Sequence, residues 1–324
     1  MAFELPRRHL LALGCALAAA SSLAWSQGYP ERPITLVVPY PAGAAVDRIA
    51  RSLAIELGKK LGQTVIVDNA GGASGTVGGK RVLRAPPDGY TLLMGTVNDT
   101  IIAPMVMKPG YAASDFTPIT RLSLNSTLLV AHPSFPANTI DELVAMGRKS
   151  DQPLLAGAAG TAMMQTFGGT MLADAGGFKI SNVVYKGGAP LLNDLMAGQV
   201  QFGTIALPSA LPLLRDGKLK ALGVISARRD PTASNVPTVN ESKSIKGVEA
   251  DIWTGVLGPA RLPPAVVARL SNAMRDVMAD TAYRDAEFRA GSVVADFASP
   301  AAFGQFLLRE EERLKPIVAN VKVE

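Results

Sequence analysis

Few side chains in this sequence are of the types that carry nucleophilic or metal-assisted chemistry. The 324 residues include one cysteine, Cys15, and two histidines, His9 and His132. No Gly-x-Ser-x-Gly elbow, His-Glu-x-x-His pair or Gly-Lys-Ser/Thr phosphate loop occurs. His132 precedes a proline at a predicted strand end, which is typical of a surface turn. We therefore expect no catalysis by His or Cys, no metal site and no cofactor. Chemistry by carboxylates alone stays open, although Asp and Glu show no paired spacing.

Three stretches of small residues follow predicted strands and precede predicted helices. They are residues 41–46, 71–76 and 157–164. The first N–H groups of a helix lack intrahelical partners and lie at the positive end of the helix dipole, so a loop of small residues lets an anion approach the backbone. Ligands of open α/β sheets gather at the carboxyl ends of strands, where these loops should lie. We predict that the loops bind an anion through their backbone; the alternative is that they only permit tight turns.

Two aspartates accompany these loops. Asp47 falls in the first turn of the helix after the first loop, where we expect it to accept a hydrogen bond from an N-terminal backbone N–H. Asp99 follows Gly95 and Thr96 just beyond a predicted strand, where it could offer a charge to a ligand. Asp47 is thus predicted to be structural, and Asp99 is a candidate ligand contact.

Alternating strands and helices are predicted to hold these loops. The apolar run at residues 34–38 lies between two prolines and indicates a strand buried on both faces. Apolar residues spaced by three and four from Val46 onward predict a helix that ends at Gly62. The pattern restarts near residue 127, and it predicts an α/β fold with mostly parallel sheets flanked by helices. Further strands are predicted at residues 64–67, 90–94, 126–132, 200–205 and 220–226, and further helices at 139–149, 190–197, 209–216, 265–280 and 301–320.

The first 26 residues have the parts of an export signal. Arg7 and Arg8 precede an apolar stretch, and a small-x-small cleavage site ends at Ser26. We expect a periplasmic protein cleaved near Ser26, by either the general or the twin-arginine route. Cleavage removes Cys15, so neither disulfides nor thiolate metal sites are expected, and about 300 mature residues favour two domains. The net charge of +5 is spread along the chain without a Lys/Arg cluster, which argues against nucleic acid.

Eight segments, taken in order, resemble the extracytoplasmic solute receptors of tripartite tricarboxylate transporters, often called Bug-type receptors. They span nearly the whole chain after the signal, and Asp47 accompanies the first of them. The segments are YPERPITLVVPYPAG, VDNAGGASGTVG, PPDGYTLLMGT, VVYKGGAP, DLMAGQVQF, LPSALPLLRDGKLKALGV, VPTV and WTGVLGP.

The resemblance implies a two-domain periplasmic-binding-protein clamshell, or Venus flytrap, that binds a small carboxylate in its cleft and is not an enzyme. Domain 1, which anchors the carboxylate, would comprise residues 27–126 and 250–324. Domain 2, which selects the ligand, would comprise residues 127–249. The resemblance also implies hinge closure and delivery to the membrane permease subunits of a tripartite transporter. We expect a monomer.

In this family, backbone amides and ordered waters of the first two loops hold the ligand carboxylate, and the second domain holds the rest of the ligand. The resemblance therefore implies two groups of ligand-binding residues. Those of domain 1 are Tyr40, Ala42, Gly43, Ala44, Ala45, Val46, Gly72, Ala73, Ser74, Gly75, Thr96 and Asn98. Those of domain 2 are Ala158, Ala159, Gly160, Thr161, Met163, Met164 and Ile205.

The sequence departs from the family pattern in the second domain. Residues 161–164 are Thr-Ala-Met-Met where serine is common, and Ile205 replaces a frequent aspartate. A ligand ammonium group would lose its counter-charge there, and burying it unpaired is costly. We predict an aromatic or aliphatic mono- or dicarboxylate, not an amino acid, against an apolar wall of Met163, Met164, Val46 and Ile205. Core packing of the methionines is the alternative.

Two other functions stay open on the sequence. One is a receptor that signals by docking on a membrane sensor instead of a transporter. The other is an exported enzyme that uses carboxylates alone.

Trp253 marks the return of the chain to domain 1, where we predict that it packs at the hinge rather than lining the cleft.

Overall fold

A computed structural model of the protein describes residues 28–320. The predicted export signal and its cleavage site near Ser26 lie outside the described residues. The strands are β1 (Ile34–Val38), β2 (Val65–Asn69), β3 (Thr91–Thr96), β4 (Thr117–Asn125), β5 (Thr127–Ala131), β6 (Leu154–Ala158), β7 (Ile180–Val184), β8 (Phe202–Ala206), β9 (Lys220–Val224), β10 (Ile252–Gly258) and β11 (Val293–Val294).

Helices follow most of the strands, as the sequence pattern predicted. They are α1 (Ala45–Leu61), α2 (Thr76–Leu83), α3 (Ala103–Met107), α4 (Ile140–Lys149), α5 (Met164–Gly176), α6 (Gly188–Met196), α7 (Leu207–Arg215), α8 (Pro264–Met278), α9 (Thr281–Arg289) and α10 (Pro300–Asn320). A π-helix, Asn98–Ile102, lies between β3 and α3.

The strands form two sheets, which confirms the predicted α/β fold with two units. The first sheet has the order β11-β4-β10-β3-β1-β2 and the second the order β7-β6-β8-β5-β9. Both sheets are mixed rather than mostly parallel: β1 is parallel to β2 and β3, but β10 is antiparallel to β3 and β4, and β5 is antiparallel to β8 and β9. The reason is that β5 and β10 each begin where the chain enters a sheet from the other one. They therefore run opposite to the neighbouring strands that end on that side of the sheet: β8 and β9 beside β5, and β3 beside β10.

The two crossings lie side by side. The chain leaves the first sheet at Asn125 and enters the second at Thr127, and it returns between β9 and β10. The Thr127 hydroxyl donates to the Ala250 carbonyl oxygen at 2.5 Å, and Ala250 N–H donates to the Ile225 carbonyl oxygen at 2.9 Å. Asn125 and Ile252 are paired across β4 and β10. Two adjacent, hydrogen-bonded segments therefore connect the units.

Trp253 is a packing residue at the start of β10, as predicted. Its side chain is fully buried. It contacts Phe303 and Phe306 of α10 edge-on, with ring centroids 5.6 and 5.9 Å apart. Edge-to-face pairs of this kind stabilise by roughly 0.5–1.5 kcal/mol beyond the area they bury. The C-terminal helix is thereby fixed to the first sheet beside the crossings.

Candidate functional site

The first loop, between β1 and α1, is held in place by Asp47. Asp47 Oδ2 accepts hydrogen bonds from the Gly43 backbone N–H at 2.9 Å and from Arg51 Nε at 3.1 Å. Its Oδ1 accepts one from Asn69 Nδ2 at 2.9 Å, and the same amide donates to the Tyr40 carbonyl oxygen at 3.1 Å. Asp47 thus ties the loop to the end of β2, which confirms its predicted structural role.

These hydrogen bonds also set the charge of Asp47 and the donors that remain in the loop. Burial raises the pKa of Asp47, but the bonds from Arg51, Gly43 and Asn69 outweigh it, so the net pKa is lowered and the group is ionised. The Gly43 N–H is occupied by this carboxylate. The first N–H groups of α1, at Ala45 and Val46, have no intrahelical acceptor by geometry. The helix terminus therefore offers these amides to an anion.

The second loop, between β2 and α2, has an unusual backbone. Gly72, Ala73, Ser74 and Gly75 have consecutive positive φ values of 130°, 46°, 52° and 93°. For Ala73 and Ser74 such a conformation costs on the order of 1–3 kcal/mol, and it persists only where the surroundings enforce it, often at ligand sites. A Cβ atom built on Gly71 would lie 3.3 Å from Pro41. The first and second loops are therefore in contact.

A buried carboxylate lies beneath these two loops. Asp99 is fully buried, and its Oδ1 accepts hydrogen bonds from Thr96 N at 2.9 Å, Thr96 Oγ1 at 2.6 Å and Tyr40 Oη at 3.0 Å. Its Oδ2 accepts one from Thr100 Oγ1 at 3.1 Å. A Cβ atom on Gly75 would lie 2.6 Å from Asp99 Cβ, so the second loop rests on this residue. Asp99 therefore supports both loops from below.

Burial determines the proton affinity of Asp99. It raises the pKa of this carboxyl group, the hydrogen bonds from Thr96, Tyr40 and Thr100 offset part of the rise, and the resulting pKa is about 6. Burial, followed by the nearby Asp99, also raises the pKa of Tyr40. Among the ion pairs of residues 28–320, none involves Asp99. Its charge is balanced by neutral donors alone.

The loop after β6 meets the first sheet through Asn98. Asn98 Oδ1 accepts a hydrogen bond of 2.7 Å from the Met164 backbone N–H, the first residue of α5. Asn98 Nδ2 lies 3.4 Å from Gln165 Oε1. Asn98 and Gln165 are 2 % and 6 % exposed, so water does not compete for these contacts. The third glycine loop, which includes Gly160 with φ of 136°, is thereby brought against the carboxyl end of β3.

The residues of the predicted apolar wall lie in different parts of the core. Met164, Val46 and Ile205 are buried in three separate apolar clusters. Ile205 packs against the start of α6, where a Cβ atom on Gly188 would lie 2.9 Å from Ile205 Cδ1. Met163 is 8 % exposed beside Gly160. Core packing therefore accounts for Met164, Val46 and Ile205.

The other predicted residues divide into two groups. The first group lies at or beside the carboxyl ends of β1, β2, β3 and β6. It comprises the predicted residues of the first two loops, Thr96, Asn98, Gly160 and Thr161. Ala158 and Ala159 are buried at the end of β6. Sequence inspection missed Asn69, Gln165 and Tyr111, whose hydroxyl donates to the Asp99 carbonyl oxygen at 2.6 Å. An asparagine two residues before the first glycine of a loop, as Asn69 is, is the signal that could have been used.

His132 has a serine as its hydrogen-bond partner in the structure. His132 Nδ1 lies 2.7 Å from Ser134 Oγ in a turn. In residues 28–320, no cluster of three or more His, Cys, Asp or Glu side chains could hold a metal ion. Over the same span, no helix is long and apolar enough to cross a membrane.

Comparisons with known proteins agree with this arrangement. The family described as tripartite tricarboxylate transporter family receptor matches residues 49–323. The UPF0065 protein in the tcbD-tcbE intergenic region of Pseudomonas sp. (strain P51) is 32% identical over 323 residues, which are 98% of this chain and 95% of that protein.

Two solved structures have a similar fold. The periplasmic binding protein BugD is 34% identical with a TM-score of 0.84, over 91% of this chain and 99% of that chain. Rpa4515 of R. palustris, solved with adipate, is 28% identical with a TM-score of 0.84, over 90% of this chain and 97% of that chain. The chain therefore belongs to the tripartite tricarboxylate transporter receptor family, whose members are solute-binding receptors and not enzymes.

Proposed function

We propose that the protein is a periplasmic receptor that captures a small carboxylate between two domains and delivers it to the membrane permease of a tripartite transporter. Domain 1 comprises residues 27–126 and 250–324, and domain 2 comprises residues 127–249. The observation that carries the proposal is the convergence of three strand-to-helix loops: the first two touch at Gly71 and Pro41, and the third meets them through Asn98 and Met164.

Backbone donors at this point favour an anion. The first turns of α1, α2 and α5 supply N–H groups that lack intrahelical acceptors, and the helix dipoles add partial positive charge. The strained second loop supports a binding role, because backbone strain persists where a function requires it. A carboxylate held in this way needs no positively charged side chain from the protein.

The charges around the loops argue against an amino acid. Both carboxylates next to the loops are engaged: Asp47 by Gly43, Arg51 and Asn69, and Asp99 by the donors beneath the loops. At the end of β8, where the resemblance leads us to expect an aspartate, the sequence has Ile205, so this strand end offers no carboxylate. An ammonium group of the ligand that is held by domain 2, away from Asp99, would thus lack a counter-charge, which is costly in a buried site. We propose an aliphatic or aromatic mono- or dicarboxylate, in line with the adipate bound to the relative.

Closure of the cleft is the step that would signal a captured ligand. The two crossing segments at residues 125–127 and 225–252 connect the domains, and a ligand that contacts both domains only in the closed state shifts the equilibrium toward that state. The closed form then presents a surface to the permease that the open form lacks.

A thermal-shift screen tests the proposal. The mature chain is unfolded and refolded to remove any carried-over ligand, and then mixed with aliphatic and aromatic mono- and dicarboxylates, hydroxytricarboxylates and amino acids. A ligand at about 100 times its Kd stabilises the native state by about 2.7 kcal/mol, which raises Tm by several degrees. We expect this rise from an aliphatic or aromatic carboxylate. A rise from aspartate or glutamate contradicts the proposed ligand class, and no rise across the panel contradicts the assignment of a carboxylate ligand.

A further inference from the structure

We propose that the protein takes up a proton at Asp99 when a carboxylate binds to the first two loops. The inference rests on the proposed function and adds a second solute, a proton, to the same site. It is carried by the position of Asp99 beneath the loops and by the neutral donors that surround it.

Asp99 lies directly beneath the two loops that we propose bind the ligand carboxylate. Gly75, in the second loop, is so close to Asp99 that an added Cβ atom would lie 2.6 Å from Asp99 Cβ and 3.3 Å from Tyr40 Oη. Tyr40 opens the first loop, and its hydroxyl donates to Asp99 Oδ1. A ligand carboxylate on the amides of these loops is thus separated from Asp99 by little more than the loop backbone.

Among residues 28–320, no cation forms an ion pair with Asp99. The titratable groups that face Asp99 are the phenols of Tyr40 and Tyr111, the latter through the Asp99 carbonyl oxygen. The other donors are Thr96 from β3 and Thr100 from the π-helix. Helices α2, α3 and α10 also pack on the π-helix, and none of their charged side chains hydrogen-bonds the Asp99 carboxylate in the part of the chain that the structure describes.

Like charges in a buried site raise each other's pKa, because the low dielectric weakens their screening. Burial, offset in part by the hydrogen bonds from Thr96, Tyr40 and Thr100, leaves the pKa of Asp99 at about 6, so Asp99 is mostly ionised at neutral pH. A further rise caused by a bound carboxylate moves the pKa into the neutral range. The proton then binds with the ligand.

The protein has a suitable place for this proton. Asp99 Oδ1 accepts three hydrogen bonds, from Thr96 N, Thr96 Oγ1 and Tyr40 Oη. Asp99 Oδ2 has the Thr100 hydroxyl alone among its described partners. The proton comes from water or buffer and forms an O–H bond at Oδ2. The Thr100 hydroxyl can turn to accept that bond, since a hydroxyl both donates and accepts.

Isothermal titration calorimetry of the refolded mature protein tests the inference without a variant. The probe is adipate, or the panel carboxylate with the largest Tm rise, and it is titrated at pH 7 in two buffers with different ionisation enthalpies. The dependence of the binding enthalpy on the buffer gives the protons taken up. If the Asp99 pKa rises by one unit, we expect about 0.4 proton per ligand and about fivefold tighter binding at pH 6 than at pH 8.

Three variants locate the proton. Asp99→Asn should bind the probe with no uptake and with an affinity that does not change between pH 6 and 8. Asp251→Asn and His132→Gln should keep the wild-type uptake. Loss of uptake in either of these two variants, or binding by the wild type with no uptake, overturns the inference and leaves the proposed function intact. No binding by any carboxylate of the panel overturns both.

Discussion

Asn98 and Met164 connect the two units of the protein: Asn98 Oδ1, just beyond β3, accepts a 2.7 Å hydrogen bond from the backbone N–H at the start of α5. The α5 helix has no side-chain cap from its own N-cap residue, Met163. Its cap is therefore supplied by the other unit. One of the N–H groups that the N-terminus of α5 could offer to a ligand, that of Met164, is thus already bonded to Asn98.

The first prediction follows from this contact. Asn98→Ala removes the acceptor of the buried Met164 N–H, and a buried donor without a partner costs about 1–3 kcal/mol. Because the cost falls only on arrangements in which Asn98 and Met164 meet, the unliganded variant should be more open than the wild type. We expect a larger radius of gyration by small-angle X-ray scattering. Asn182→Ala, at an exposed position of β7, is the control, and identical scattering from wild type and Asn98→Ala would refute the prediction.

The second prediction concerns the contact between Gly75 and Asp99. Gly75→Ala adds a Cβ atom 2.6 Å from Asp99 Cβ at a φ of 93°. The left-handed backbone costs roughly 1–2 kcal/mol for alanine, and overpacking adds roughly 1–3 kcal/mol. We expect the free energy of unfolding in urea to fall by about 2–4 kcal/mol and carboxylate binding to be lost.

Gly217→Ala is the matched control for this change. Gly217 has a φ of 66°, and a Cβ atom there would meet nothing within 4 Å. The variant therefore has a comparable backbone strain without the collision, and should lose about 1–2 kcal/mol. Equal losses in the two variants would mean that the second loop does not press on Asp99.

The sequence predicted elements whose side chains follow a simple pattern and missed those with mixed character. β1 is a continuous apolar run, and α1 has apolar residues spaced by three and four, so both were predicted. β4 was missed because threonine, arginine and serine interrupt it. Arg121 of β4 is partly accommodated by the Phe306 ring, whose centroid lies 4.6 Å from the guanidinium carbon. Such a strand depends on α10, which is far away in sequence.

Prediction of the binding site from the sequence was limited in the same way. The glycine loops could be located because small residues between a strand and a helix are visible in the sequence. The apolar wall stays a prediction, and Ile205 shows why spacing alone does not place its members: neighbouring side chains of a strand point to opposite faces. Thr204 faces α5, where it lies 3.5 Å from a Cβ atom built on Gly169, whereas Ile205 faces Gly188 at the start of α6. The burial of Asp99 depends on the packing of the first two loops against it, which spacing does not encode.

The third prediction concerns Asp47, which cross-links the first loop. Asp47→Ala removes the acceptor for Gly43, Arg51 and Asn69. Hydrogen bonds to a charged group contribute roughly 1.5–3 kcal/mol, so we expect a loss of about 2–3 kcal/mol in the free energy of unfolding. Carboxylate binding should weaken as well, because the loop is no longer tied to β2.

The control for this change is Asp216→Ala. The Asp216 side chain is 59% exposed and lies 3.6 Å from Lys218. Exposed ion pairs contribute about 0–1 kcal/mol, so the control should stay close to the wild type in both stability and binding. Wild-type affinity in Asp47→Ala, measured by calorimetry, would show that the first loop keeps its shape without this carboxylate.

The last prediction concerns Asp251, at the start of the return segment. Its Oδ2 accepts a hydrogen bond from Ser226 Oγ at 3.0 Å, and its buried Oδ1 has no partner among the described residues. Burial raises the pKa of Asp251 to about 6; Glu249 and Asp230 add to the rise, and Arg313 opposes it. Because the folded pKa lies above the unfolded value of 3.8, the native state binds more protons between these values.

Stability contributed at Asp251 is therefore present at low pH and is lost as pH rises through about 6. Asp251→Asn keeps the shape of the side chain and removes the charge that is costly to bury. Relative to wild type, its free energy of unfolding should change little near pH 4 and rise by about 2–3 kcal/mol at pH 7.5, as urea titrations at both pH values can measure. Asp285→Asn, at an exposed position of α9, should differ from wild type by less than about 0.5 kcal/mol at each pH. A gain in Asp251→Asn that is the same at both pH values would point to packing, since removing a titrating charge must give a gain that depends on pH.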